Sequence, residues 1–230
     1  NNAILSVVGN VDPDQIKILA DKWFGEIPRR DIEQKEIPKE PHQEEPRKEK
    51  VEREVPHNVL YKAFRMCSRN HPDFYPTDLI SDLLGNGKSS RLYQQLVKKK
   101  QIFGTIDAFI TGDIDEGLFL ISGSLSDQVN MADAEAELNK ELNELKETRI
   151  TEEELQKVKN KVEAVNTFSK TSALHKAMNL SFYELLGDAG RINQEIENYR
   201  KTTTHDIQRV SNYLLDETNS NTLYYHAKKS

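Results

Sequence analysis

The sequence predicts an α+β fold: an antiparallel sheet with helices packed mainly on one face, preceded by a strand and a helix left over from an upstream domain. Three observations predict it. Residues 59–67 and 117–125 alternate apolar and polar side chains, the period of a half-buried strand. Met131, Ala134, Leu138, Leu142 and Leu145, then Leu155, Val158, Val162, Val165 and Phe168, repeat at helical spacing. Strands, helices, strands and a final block of helices follow one another, which is the order of a layered α+β domain.

The elements follow in chain order. Residues 3–8 form a short apolar run with the pattern of a buried strand. Asp12-Pro13-Asp14-Gln15 starts a helix, with Asp as N-cap and Pro in the first turn. Ile16, Leu19, Ala20 and Trp23 share its apolar face, and it ends near Gly25. One strand and one helix cannot bury a core of their own. Residues 1–28 are therefore read as the end of an upstream domain. The absence of a start methionine or signal peptide fits a piece of a longer protein.

Residues 29–50 read as a linker. Fourteen of these 22 residues are charged, seven of each sign, with Pro38, Pro41 and Pro46 among them. Residues 51–230 form the main domain. Strands 51–55 and 59–67 flank a turn at Pro56-His57-Asn58. Helices follow at 73–84 and 90–100. A hairpin joins 103–111 to 117–125 through Gly112-Asp113-Ile114-Asp115. Thr151 and Glu154 form a capping box for the next long helix. Helices at 172–186, 189–199 and 204–215 lead to a closing strand at 222–226.

Composition narrows the function. Hydrophobic content is 36% and charged content 30%, which predicts a soluble, folded chain. No apolar run is long enough for a membrane span. A net charge of -6 disfavours nucleic acid as a partner. Cys67 is the only cysteine, so no internal disulfide forms. One free thiol in an apolar strand favours a reducing compartment, cytoplasmic over periplasmic.

Gly87-Lys88-Ser89 imitates the end of a phosphate loop. Asp82 stands where that loop needs its first glycine, and helical spacing precedes it, so nucleotide binding does not follow. The six histidines lie too far apart in sequence for a paired zinc motif on one helix face. No Gly-x-Ser-x-Gly elbow occurs. The residues by themselves show no catalytic machinery.

Three segments nevertheless carry a resemblance. Residues 3–13 end in Val11-Asp12-Pro13 and lead to Trp23-Phe24-Gly25-Glu26-Ile27-Pro28. Residues 83–93 read LLGNGKSSRLY. The helix start Ile150-Thr151-Glu152-Glu153-Glu154-Leu155 follows the hairpin. Together they resemble the pitrilysin/insulinase family of zinc metallopeptidases, specifically the non-catalytic C-terminal half behind the last strand and helix of the catalytic half.

The resemblance implies one wall of a peptide chamber, with zinc held by the missing catalytic half of the same protein and no cofactor here. The family's His-x-x-Glu-His positions map to Asp78, Ser81 and Asp82, which do not make a zinc site. A substrate-anchoring arginine and tyrosine usual in this half map to Val97 and Gly104. Lys98, Lys99 or Lys100 then stand as replacement cations for a peptide substrate. Gly85 and Gly87 read as turn glycines, Ser89 or Ser90 as a helix cap, and Arg91 as a tie to an acidic neighbour. Expected partners are peptide, the N-terminal catalytic half, and a second copy on which residues 1–28 dock. The competing expectation is a structural, partner-binding homologue whose parent has no peptidase activity.

Overall fold

The computed structural model describes residues 2–32 and 38–228. The chain divides into two compact units. One comprises Asn1–Pro41 and Glu163–Ile196, and the other His42–Val162 and Glu197–Ser230. Residues 33–37, in the middle of the expected linker, lie outside the described residues.

The second unit holds the sheet. Its strands are β1 (Arg47–Arg53), β2 (Val59–Met66), β3 (Phe103–Ile110), β4 (Gly117–Leu125) and β5 (Ser220–Ala227), in the order β1-β5-β2-β4-β3. The alternation read from the sequence governs the faces. Leu60, Phe64, Phe119, Ile121, Ile106 and Ala108 are buried, while Tyr61, Leu118 and Phe109, one residue out of phase, are exposed. Buried side chains of the helices between β2 and β5 join the inward-facing strand residues in one core. Each fully buried Leu or Phe there contributes roughly 1.5–3 kcal/mol by leaving water.

The sheet is mixed, which corrects the antiparallel expectation. β1 pairs with β5 in parallel, from Arg47 opposite Asn221 to Arg53 opposite Ala227. β5 separates β1 from β2, so residues 51–55 and 59–67 do not form a hairpin. β1 also starts inside the stretch read as linker. Its sequence, RKEKVER, buries almost nothing, and backbone bonds to β5 rather than apolar burial make it a strand. Gln43 pins its approach. This buried amide donates to the carbonyls of Glu45, Thr218 and Ser220 at 2.9, 2.9 and 3.0 Å and accepts from Asn221 at 3.0 Å.

The helices of this unit are α2 (Phe74–Gly85), α3 (Met131–Glu147), the start of α4 (Glu152–Ser169), most of α6 (Glu195–Lys201) and α7 (Thr204–Leu214). The stretch expected as a helix at 90–100 is a seven-residue π-helix, Tyr93–Lys99. It closes with the Lys100 N–H on the Gln95 carbonyl at 2.9 Å, and Gln101 follows at φ 53°.

The first unit has little core. Its first helix, α1 (Pro13–Phe24), is capped as expected, with Asp12 accepting the Asp14 N–H at 2.9 Å. None of its residues is buried, and Trp23 is 68% exposed. Residues 3–8 are not a strand, because no described strand pairs with them. The later part of this unit holds the end of α4 and α5 (Ala173–Leu185). There Phe168 is 75% exposed and Leu174, Met178 and Leu185 stand out as well, while Tyr183 is buried.

Candidate functional site

Asp78, Ser81 and Asp82 lie on α2, whose Leu79, Ile80, Leu83 and Leu84 bury its opposite side. Each of the three polar groups is taken up internally. The Tyr199 hydroxyl donates to Asp78 Oδ2 at 2.6 Å. Tyr199 packs edge-on against Tyr75, with ring centroids 5.0 Å apart. The Ser81 hydroxyl donates back to the Asp78 carbonyl at 2.8 Å. Asp82 accepts from the Asn86 amide and lies 3.5 Å from the Lys161 ammonium.

This donor set does not fit zinc. Zinc takes imidazole, thiolate and carboxylate in a tetrahedron, and here there is no imidazole. One carboxylate is spoken for by a phenol, and the other faces a lysine whose charge would repel a cation. Among the described residues, no group of three or more His, Cys, Asp or Glu is arranged to hold a metal ion.

The glycine turn that follows is clasped from α4. The Arg91 guanidinium donates to both Glu154 oxygens, at 2.7 and 2.8 Å. This hydrogen-bonded pair, opposed in part by burial, holds the Glu154 carboxyl below the ordinary carboxylate range. Lys157 donates to the Ser89 carbonyl at 3.0 Å and Lys161 to the Asn86 carbonyl at 2.9 Å. The spacing of Glu154, Lys157 and Lys161 puts all three on one helix face.

Two expectations for this turn need correction. Gly85 serves close approach rather than a turn angle. A Cβ there would sit 1.8 Å from the Ala108 nitrogen on β3. Gly87, at φ 92°, is the position whose conformation favours glycine. Among the described residues no serine side chain caps the following helix. Among the described residues the buried Ser90 hydroxyl has no hydrogen-bond partner, and Ser90 works through its backbone, bonded to Gly87 and Gln94.

The lysine run is pulled apart. Lys100 is held by Glu137 at 2.6 Å and Glu141 at 2.9 Å, both on α3, and Lys99 donates to Gln95 at 3.2 Å. Lys98 is exposed and makes no hydrogen bond or ion pair among the described residues. Val97 packs against the core, while Gly104 lies at a bulge in β3. A Cβ at Gly104 would meet only the Ser124 carbonyl, at 3.9 Å, so a side chain fits there that the sequence does not supply.

Two clusters escaped the sequence reading. Glu135 on α3 meets Lys48 at 2.5 Å, Lys62 at 3.5 Å and Thr222 at 3.2 Å, and also accepts from Tyr224. Lys62 is 3% exposed, and burial pulls its ammonium below the ordinary lysine range despite Glu135. A lysine at an inward position of an alternating strand was the available signal. Asp73, just before α2, takes both nitrogens of Arg209 at 3.0 and 2.6 Å and the Tyr213 hydroxyl at 2.9 Å. The Arg209 bond is the largest influence holding its carboxyl below the ordinary range. These clusters are closed on themselves and hold the scaffold.

A family model described as the peptidase M16 inactive domain matches residues 1–162. The chain belongs to this family. The resemblance to zinc metallopeptidases therefore holds, and this M16 chain is of the inactive, C-terminal kind. It is 28% identical over 228 residues to the zinc protease PqqE of Helicobacter pylori, covering 97% of the chain and 51% of that protein. The M16 chain thus spans about half the length of the curated relative it matches. A crystal structure of a protease from Helicobacter pylori superposes with a TM-score of 0.85 at 26% identity, over 95% of this chain and 54% of that one. A peptidase M16 inactive domain from Pseudomonas fluorescens shares the fold, with a TM-score of 0.69 at 17% identity over 84% of this chain and 47% of that one. No described helix of the M16 chain is long and apolar enough to cross a membrane.

Proposed function

We propose that this chain is the non-catalytic wall of a peptide chamber, facing a zinc-bearing catalytic half of the same parent protein. The observation that carries the reading is the fate of α2. Its three motif positions are engaged by Tyr199, by the helix backbone and by Lys161, inside a family of inactive peptidase domains. Zinc and water activation then belong to the other half, and this half contributes enclosure and peptide contacts. Lys98 is the cation of the run left to meet a peptide carboxylate or carbonyl. Cys67, whose thiol burial pushes up, is an inert thiol suited to a reducing compartment.

Metal analysis and proteolysis of the purified chain and of the full-length parent test this. The chain alone should hold well under one zinc per molecule and leave an unfolded peptide intact. The parent should bind zinc and cleave it, with loss of cleavage on chelation. Stoichiometric zinc on the chain alone would overturn the reading.

A second reading, a scaffold with no active half, draws support from Val97 and Gly104, which supply neither an arginine nor a tyrosine. A parent that folds and binds no zinc would favour it. Sedimentation of the chain over a concentration range tests self-association separately.

A further inference from the structure

The sheet ends in two edges of opposite kind. At one edge, β3 buries Phe103, Ile106 and Ala108, so it cannot leave without opening the core. At the other, β1 pairs only with β5 and buries no side chain, Val51 alone being partly covered. Losing β1 therefore costs backbone hydrogen bonds, which water replaces at an exposed edge, and almost no apolar burial. Residues 38–46 before it and 54–58 after it are neither helix nor strand, so no regular element is broken when it moves.

The side chains that hold β1 are polar, and two of them carry most of the work. Gln43 bonds the carbonyls of Thr218 and Ser220 and the Asn221 amide. Lys48 reaches from β1 to Glu135 at 2.5 Å and to the Tyr224 hydroxyl at 3.2 Å. Glu135 does not depend on Lys48 for its partners. Lys62 at 3.5 Å, Thr222 at 3.2 Å and Tyr224 lie on β2 and β5 and stay with it when β1 leaves. Closed, two ammonium groups share one carboxylate. Released, Lys62 and Glu135 form a balanced pair, and no charge is stranded in the interior.

We propose that residues 42–53 are a releasable strap: β1 opens as a unit while β5, β2, β4 and β3 stay folded, and Lys48 and Gln43 are its latches. Opening bares the row of N–H and C=O groups along β5. The strand that closes this edge again is β1 itself, since its sequence brings Gln43 and Lys48 to their partners.

Native-state hydrogen exchange of the ¹⁵N-labelled chain, in a urea series below the unfolding transition, tests this. Amides that tie β1 to β5 should exchange at least about tenfold faster than those joining β2 to β4. Their rates should depend little on urea, because the opening exposes little surface. Lys48→Met should raise exchange in β1 by about a further tenfold, with β2, β4 and the urea midpoint unchanged. Gln43→Ala should act in the same direction. Amides of β1 that exchange together with those of β2 and β4, at one rate and with one urea dependence, would overturn the strap. Unprotected amides throughout β1 would overturn it too, since nothing would then be latched. Variants that move β1 only in step with the urea midpoint would remove Lys48 and Gln43 as latches.

Discussion

The two compact units obey different rules. The unit built on His42–Val162 and Glu197–Ser230 carries nearly all the buried apolar side chains, and its charged clusters are paired. The unit built on Asn1–Pro41 and Glu163–Ile196 keeps helices with sound caps but leaves Trp23, Phe24, Phe168 and Met178 in water. Local signals suffice to start a helix, whereas a core requires several elements with complementary faces. The difference teaches that a helix read correctly from sequence carries no guarantee of a stable environment.

Substitutions should separate the units by size of effect. Glu135→Ala leaves Lys62 buried without its carboxylate, and should lower unfolding stability of the sheet unit by about 3–5 kcal/mol in urea titration. A change within error would mean that Lys62 reaches water. Gly85→Ala forces a methyl into the β3 backbone and should cost about 3 kcal/mol by the same measurement. Arg91→Ala unclasps the turn, with an expected loss of about 1–3 kcal/mol and a Glu154 carboxyl that titrates nearer its ordinary value by NMR. At the small end, Trp23→Ser and Phe168→Ser should shift stability by no more than about 0.5 kcal/mol while reducing binding of a hydrophobic dye. A large loss from either would show that the first unit has a core after all.

Acid should act on the same contrast. Asp73, Glu135 and Glu154 all have carboxyls held below the ordinary range in the folded chain: Asp73 mainly by Arg209, Glu154 mainly by Arg91, and Glu135 against the effect of burial by Lys48, Tyr224 and Lys62. The unfolded chain therefore binds more protons than the folded one as pH falls toward the carboxylate range. The stabilisation these groups give is present above about pH 5 and is lost progressively as pH drops through their folded values. Urea midpoints for the sheet unit should be flat near neutrality and fall steeply below about pH 4. In Glu154→Gln the acid-dependent part should shrink. Amide exchange should be faster in α1 than in β2 and β4 at every pH, because α1 buries no residue.

Much of this was legible in the chain. Alternation in β2 and β4, helical spacing in α3 and α4, and the caps at Asp12 and Thr151 are local patterns, and local geometry fixes them. The LLGNGKSSRLY segment pointed to the family that the family model confirms. The failures share a cause as well. The start of β1 at Arg47 and its parallel pairing were missed because its partner β5 lies at the far end of the chain and its own residues are nearly all charged. The π-helix and the reason for Gly85 depend on packing against β3, which no periodicity records.

The sequence by itself thus determined the class of fold and the family, since these follow from residue type at short spacing. Only the tertiary structure decided that β1 runs parallel to β5, that Glu135 shelters Lys62 and that α4 clasps the glycine turn. Each of these needs residues distant in sequence to come within a few ångströms, a fact that emerges only when burial and the backbone ladder have chosen one arrangement.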